Sequence, residues 1–156
     1  MPQLSLHTPV GDLTLSEDDD AIVAVDWGWG RDQTSTPLLK RAVKQLNNYF
    51  DGSLEKFDLP LKPHGTAFHK SVWRIMLKIP YGQTLTYGAI AKRLDAGARA
   101  VGTACGRNPI PIIIPCHRVL GASSLGGYSG EGGADTKTAL LTLEGAPVQF
   151  GLKLGK

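Results

Sequence analysis

Cysteine and histidine stand side by side at Cys116 and His117, inside the run Pro115-Cys116-His117-Arg118-Val119. A thiol is a strong nucleophile only as its thiolate, and a neighbouring base or cation lowers the cost of forming it. On a regular strand the two side chains would point to opposite faces, so their cooperation demands a sharp turn. Pro115 fixes its own φ and biases Ile114 towards extended backbone, so a strand can end where the thiol appears. Upstream, the run 108–114 (Asn-Pro-Ile-Pro-Ile-Ile-Ile) is short, apolar and β-branched. It reads as a buried strand, irregular or at an edge where Pro111 falls. An isolated cysteine is more often a small core hydrophobe; the residues flanking this one favour chemistry.

A carboxylate completes the set. The last helical stretch ends at Glu144-Gly145, where a negative side chain meets the negative end of the helix dipole. That placement implies a specific partner, and His117 is the natural one. Cys116 would be the nucleophile, His117 its base through a water, and Glu144 the group that orients the ring and stabilises its charge, as in a hydrolase triad.

The elements that must hold these groups follow from length and pattern. A chain of 156 residues makes one ordinary domain or two small ones sharing an interface. No apolar run is long enough to span a membrane, and the start of the chain lacks the basic and apolar segments of a secretory signal. Two cysteines, Cys105 and Cys116, make no extracellular framework, so a reducing, cytoplasmic setting is expected. No Cys-x-x-Cys spacing occurs, and His64 and His69 lack cysteine or carboxylate companions; they read as surface or capping residues. Neither a metal nor a cofactor is expected.

Charge divides the chain. Residues 1–62 carry six Lys and Arg against ten Asp and Glu, a net of −4, whereas residues 63–156 carry eleven against four, a net of +7. A basic half suits a polyanion, because Lys and Arg gain affinity by releasing phosphate counterions. The acidic half should face away from any nucleic acid.

Residues 4–15 alternate apolar and polar on both sides of Pro9-Val10-Gly11, a hairpin signature. The run 17–20 (Glu-Asp-Asp-Asp) reads as a solvated turn, and 21–27 as a third strand, with Trp27 and Trp29 covering the sheet or its rim. Thr36 followed by Pro37 starts a helix whose apolar positions run from Leu38 to Phe50, with Gly52 as terminator. The expectation is an α/β N-terminal subdomain, residues 1–62, made of a three-stranded antiparallel sheet plus a helix. It carries no chemistry and supports the second domain. A linker, 57–65, leads to a mainly α C-terminal domain, residues 63–156.

In that second domain Thr66 caps a helix with Phe68, Val72, Ile75, Met76 and Ile79 in an apolar stripe and Trp73 at its edge. Another helix runs from Thr86 to about Leu94. Asp95-Ala96-Gly97 breaks it, and a third runs from Ala98 to about Gly106. Helix, glycine-containing turn, helix is the helix-turn-helix arrangement. Ala98, Ala100, Gly102 and Ala104 keep the second helix of the pair thin, although Gly102 costs about 1 kcal/mol against Ala. A thin helix can approach a phosphate backbone or enter a narrow groove, and Arg99 projects from its first turn, where the dipole already favours anions. A glycine-rich loop spans 123–133. It lacks the Lys-Ser/Thr ending of a phosphate-binding loop, and a close approach of backbone to a flat base is the better reading. Asp135 or Thr136 is expected to cap the last helix.

Taken together, Pro115-Cys116-His117-Arg118-Val119, Asn108-Pro109 upstream, the helix-turn-helix with Ala98-Arg99-Ala100-Val101-Gly102, and Tyr128-Ser129-Gly130 resemble the O6-alkylguanine-DNA alkyltransferases, also called methylated-DNA–protein-cysteine methyltransferases. The resemblance spans about Thr66 to Gly145 and, more loosely, the whole chain. It implies a DNA repair protein that transfers a methyl or other alkyl group from O6-alkylguanine in duplex DNA to Cys116, once per molecule. O4-alkylthymine as a second substrate stays open.

The same resemblance implies roles for individual residues. Tyr87 would donate a proton to the departing guanine, and Asn108 would brace the active-site turn. Arg99 would fill the gap left by an extruded nucleotide, with the helix in the minor groove; spacing alone would suggest the major groove. Thr86, Ala98, Ala100, Gly102, Arg107 and Arg118 would contact DNA, and Tyr128, Ser129, Gly130 and Pro111 would line the substrate pocket. The interval from Tyr128 to Lys137 is about two residues longer than is usual in that family, and Cys105-Gly106-Arg107 is atypical; Cys105 reads as a buried helix residue. The protein is expected to act as a monomer on double-stranded DNA, away from membranes and associated with the nucleoid, with cooperativity along DNA left open. The alternative is a non-catalytic, alkyltransferase-like lesion-binding protein, but that class lacks the acceptor cysteine. A cysteine hydrolase and a helix-turn-helix regulator are further rivals.

Overall fold

In the computed structural model, which describes residues 1–122, 125–128 and 132–146, the chain divides into two units, Met1–His64 and Gly65–Lys156. In the first, strands β1 (Gln3–Thr8), β2 (Gly11–Asp18) and β3 (Ala21–Trp27) form an antiparallel sheet in that order. Turn chemistry sets the register. Thr8 pairs with Gly11 across Pro9-Val10, and Asp19 and Asp20 close the second hairpin with φ of 52° and 60°. A two-residue turn with both residues left-handed matches the twist of the strands it joins, and Asp tolerates that conformation. Leu13, Leu15 and Ile22 are fully buried, and helix α1 (Pro37–Phe50) packs on the sheet with Leu39, Ala42, Leu46 and Tyr49. Thr36 Oγ1 accepts the Leu39 N–H at 3.0 Å, with Pro37 at the first helical position.

The strands also bury polar groups, and these are bonded among themselves. Ser5 Oγ and Thr14 Oγ1 lie 2.8 Å apart, Thr14 Oγ1 donates to the Gly28 carbonyl, and Gly30 N–H and Gln33 Nε2 donate to Ser5 Oγ. Trp29 is half exposed and stacks on His7, ring centroids 4.5 Å apart.

The second unit contains α2 (Ala67–Leu77), β4 (Leu85–Thr86), α3 (Tyr87–Leu94), α4 (Ala98–Gly106), a single 3-10 turn (Cys116–Arg118), β5 (Val119–Leu120) and α5 (Ala134–Leu143). Thr66 and Thr86 cap α2 and α3, each accepting the backbone N–H three residues on, which satisfies a donor the helix leaves orphaned. α3 stops at Asp95, whose left-handed φ of 52° turns the chain into α4. Trp73, beside the apolar stripe of α2, is buried, and its Nε1–H donates to the Ala104 carbonyl of α4. β4 and β5 pair in parallel, Leu85 with Val119 and Thr86 with Leu120.

Two sequence expectations are corrected. The run 108–114 is a compact turn instead of a buried strand. Ile112 has φ of 74°, Ile113 N–H bonds back to the Pro111 carbonyl, and Ile114 N–H to the Ile110 carbonyl. No partner strand pairs with it among the described residues; its backbone is satisfied locally and by a side chain, described below. α5 is capped by neither Asp135 nor Thr136. Gly133 holds the cap position with no side-chain bond, and Thr136 is buried one turn in. Among the described residues no helix is long and apolar enough to cross a membrane.

Candidate active site

Asn108 follows the C-terminus of α4 and uses its amide twice. Nδ2 donates to the Ile114 carbonyl at 2.8 Å and Oδ1 accepts the Ile110 N–H at 2.9 Å, which suits a group that has both donor and acceptor. The run 108–114 is thereby clamped. Pro115, at φ −82° and ψ 69°, is the centre of an inverse γ-turn, and Cys116 N–H closes it on the Ile114 carbonyl at 2.8 Å. The 3-10 turn begins at once, and Cys116 and His117 do not sit on a common strand.

Cys116 is 5% exposed and lies on the wall of a cavity of about 410 Å³ lined by Tyr87, Gly102, Cys105, Gly106, Gly127 and Tyr128 as well. That volume lies within the range of small-ligand sites. His117 is completely buried. Its Nε2 lies 2.7 Å from Glu144 Oε2, and its Nδ1 has no hydrogen-bond partner among the described residues. Glu144 occupies the C-cap of α5, where its charge opposes the helix dipole; its partners explain its presence there. Besides His117, Arg118 reaches it twice, Nε to Oε1 at 2.8 Å and Nη2 to Oε2 at 3.0 Å, while Arg118 Nη1 donates to the Ile79 carbonyl at 2.7 Å.

Lys137 comes from α5 on another side. Its side chain is buried, and Nζ donates to the carbonyls of Val119 (2.6 Å) and Gly127 (3.0 Å) and to the Tyr87 hydroxyl oxygen at 3.4 Å. Gly126, at φ 79°, passes so close to Tyr87 that a Cβ there would lie 2.7 Å from the phenol ring and its oxygen. Only glycine fits that approach.

Burial dominates the electrostatics. It pushes the Cys116 thiol above its usual range, while the Asn108 amide and then the Lys137 cation act the other way. Burial lowers the His117 pKa, opposed by Glu144 and assisted by Arg118 and Lys137. Lys137 falls to about 8 through burial, partly offset by the two cysteines. Tyr87 and Cys105 rise to about 12, again mainly through burial, and Tyr128 rises for the same reason. The site thus holds a neutral imidazole, a lysine within reach of losing its proton, and a thiol whose ionisation two neighbours favour.

Among the residues singled out from sequence, Cys116, Tyr87, Gly102 and Tyr128 meet on the cavity, with His117, Glu144 and Asn108 adjoining the Cys116 turn. Ala98, Arg99 and Ala100 are exposed on the first turn of α4, and Arg107 is exposed at its end. Thr86 is half buried as the cap of α3. Arg118 does not face solvent where DNA could meet it: it is 6% exposed, and its guanidinium is taken up by Glu144 and Ile79. Pro111 is buried but is not part of the cavity wall. Ser129 and Gly130 lie outside the described residues.

Sequence reasoning passed over Lys137, Cys105 as part of the cavity wall, and the true partner of Arg118. A signal for Lys137 existed: it shares helical spacing with Leu140, Leu141 and Glu144, all buried, so it lies on the packed face of α5. Among the described residues no group of three or more His, Cys, Asp or Glu could hold a metal ion.

Residues 67–146 match the family described as 6-O-methylguanine DNA methyltransferase, DNA binding domain, and residues 4–63 match 6-O-methylguanine DNA methyltransferase, ribonuclease-like domain. The chain is 43% identical over 151 residues to the methylated-DNA–protein-cysteine methyltransferase of Methanosarcina acetivorans, covering 90% of this chain and 96% of that protein. It is 44% identical over 153 residues to that of Mycobacterium tuberculosis, covering 90% of each. Among solved structures, Mycobacterium tuberculosis OGT in complex with DNA matches with a TM-score of 0.83 at 43% identity, over 94% of this chain and 96% of that one. An O6-methylguanine DNA methyltransferase from Methanococcus jannaschii matches with a TM-score of 0.67 at 32% identity, over 96% and 98%.

Proposed function

This chain belongs to the 6-O-methylguanine DNA methyltransferase family, and from that premise we propose that it repairs DNA by moving the alkyl group of O6-alkylguanine onto Cys116. The observation that carries the assignment to this residue is the cavity: the one thiol followed by a buried His–Glu pair opens onto a space lined by two tyrosines and glycines.

The thiol proton passes to His117 through a water, and the thiolate attacks the alkyl carbon. A sulfur–carbon bond forms as the bond from carbon to the guanine oxygen breaks. The electron pair stays with the base, and the Tyr87 hydroxyl supplies the proton that makes guanine a better leaving group. Glu144 supports the imidazolium that results, and Asn108 holds the turn. The product is a thioether, which offers water no carbonyl to attack. One molecule repairs one base and needs neither cofactor nor metal.

A base inside a duplex cannot reach a thiol that is 5% exposed; it must be flipped out, at a few kcal/mol. Arg99, exposed on α4, occupies the gap in the stack, and the first turn of α4, with Arg107 and Thr86, meets the phosphates. Residues 1–62 support this second domain, residues 63–156, which binds DNA and accepts the alkyl group. The protein works as a monomer in the cytoplasm, on the nucleoid.

Mass spectrometry of the intact protein tests the reading. After mixing with duplex containing O6-methylguanine, one methyl group is expected on Cys116 and none on Cys116→Ala. Repeated consumption of substrate by limiting protein would overturn it.

A further inference from the structure

Arg118 lies buried directly behind the proposed base, and the alkyl transfer described above gives it no task. We infer that Arg118 is a positioning residue: its two-pronged hold on Glu144 fixes His117 as the imidazole that carries hydrogen on Nε2 and its lone pair on Nδ1.

The argument is one of donors and acceptors around a single carboxylate. Arg118 Nε and Nη2 take one oxygen each, at 2.8 and 3.0 Å. A guanidinium stays charged under all ordinary conditions, and its flat fork matches a carboxylate. Beside it Glu144 remains ionised, and an ionised carboxylate can only accept. The His117 Nε2 that lies 2.7 Å from Oε2 must therefore be the donor. In the neutral ring the lone pair is then on Nδ1, the atom without a partner among the described residues. The base that receives the thiol proton is thus a defined atom.

Charge works in the same direction. Glu144 alone would favour the imidazolium, leaving a ring already protonated and useless as a base. The charged groups that act on His117 are Glu144 and Lys137 from α5 and Arg118 from its own turn. Lys70 and Arg74 of α2, which also packs on this turn, are exposed. Arg118 already takes up the one carboxylate and Lys137 adds a second positive charge nearby, so a third on the ring is disfavoured. Glu144 remains close enough to stabilise the imidazolium once the thiol proton has actually arrived.

The inference rests on the proposed alkyl transfer, and its test separates the two. Long-range nitrogen–proton NMR of histidine-labelled protein reads the His117 tautomer at neutral pH; Nε2–H with bare Nδ1 is expected. The Nδ1–H tautomer, or an imidazolium, would overturn the assignment whatever any variant does. For Arg118→Met, the acid limb of the methyl-transfer profile is expected to move up by about one pH unit, with a roughly tenfold lower rate at pH 7 that recovers in mild alkali. Arg118→Lys, which keeps the charge but loses the fork, should shift the limb less. A uniform loss at every pH would mean that Arg118 only holds the fold, and would sink the idea. Failure of the wild-type protein to gain a methyl group would instead defeat the proposed function, leaving the tautomer result standing.

Discussion

The indole N–H of Trp73 donates to the Ala104 carbonyl across 2.9 Å and so ties α2 to the last turn of α4. Trp73 is 1% exposed, and α4 is the helix that carries Arg99 on one end and Cys105 on the cavity. The placement of that helix is thus set from behind, by a residue that touches neither DNA nor the reacting sulfur.

Trp73→Phe keeps a flat apolar ring and loses the donor. The Ala104 carbonyl still accepts the Arg107 N–H at 3.2 Å, so the hydrogen-bond loss should lie near the low end, about 1 kcal/mol, with further loss from the smaller ring. Urea unfolding measures it, and a destabilisation below a few tenths of a kcal/mol would show that the bond contributes nothing net.

Asn108→Ala leaves the Ile110 N–H and the Asn108 side of the Ile114 carbonyl without their partner in a buried turn. The expected cost is about 2–3 kcal/mol: roughly 1–2 for the unmet Ile110 N–H, and about 1 for the bond lost to a carbonyl that keeps the Cys116 N–H. Methyl transfer at a temperature where the variant is still folded should be slower as well, since the same carbonyl holds the Cys116 N–H. Unchanged transfer would show that the brace serves stability alone.

Removing the cation near the thiol should make the thiolate harder to form. Lys137 acts to lower the Cys116 pKa, so Lys137→Met is expected to raise it, with a roughly tenfold fall in iodoacetamide labelling of Cys116 at neutral pH. Peptide mapping separates this from Cys105, which at about 12 stays a thiol. An unmoved labelling profile would rule out the coupling.

Stability should fall in mild acid because of His117. Its folded-state pKa lies below 6.5, chiefly through burial. In the window between that value and 6.5 the unfolded chain binds the proton and the folded one does not. Stability therefore rises with pH across the window and is lost as pH falls through it, by at most about 1.4 kcal/mol per pH unit. Urea midpoints at a series of pH values measure this slope, and His117→Gln should flatten it.

Arg99→Ala tests the finger. Repair of duplex should slow by about ten- to a hundredfold, because an extruded base leaves a gap that costs a few kcal/mol to hold open. Transfer from the free modified base, which needs no extrusion, should change by less than about threefold on the same reasoning. Equal loss on both substrates would refute the role.

Much of the scaffold was legible because local rules set it. Thr36, Thr66 and Thr86 each mark a helix start, and each accepts the N–H three residues on; a threonine before an apolar periodic run carries that information by itself. The hairpins were legible for the same reason. The approach to Cys116 was not. Three consecutive isoleucines suggest a strand, and nothing local announces a side-chain amide that replaces the missing ladder or an isoleucine at positive φ. Arg118 failed differently. In a basic half, beside a reactive pair, it reads as a phosphate contact; its partner lies 26 residues away on another element, and only the tertiary fold joins them.

Ile112 sits at φ 74°, a conformation that β-branched residues avoid at a cost of about 1–2 kcal/mol. It is nevertheless buried, as are its chain neighbours Ile110, Ile113 and Ile114. Oily contact therefore overrules the backbone's own preference four residues before the sulfur. Anything that loosens those contacts, such as heat, mild denaturant or a smaller side chain, should let this segment spring back before the rest of its unit melts. The protein would then lose its chemistry while most of its helices stayed formed, an inactivation invisible to circular dichroism.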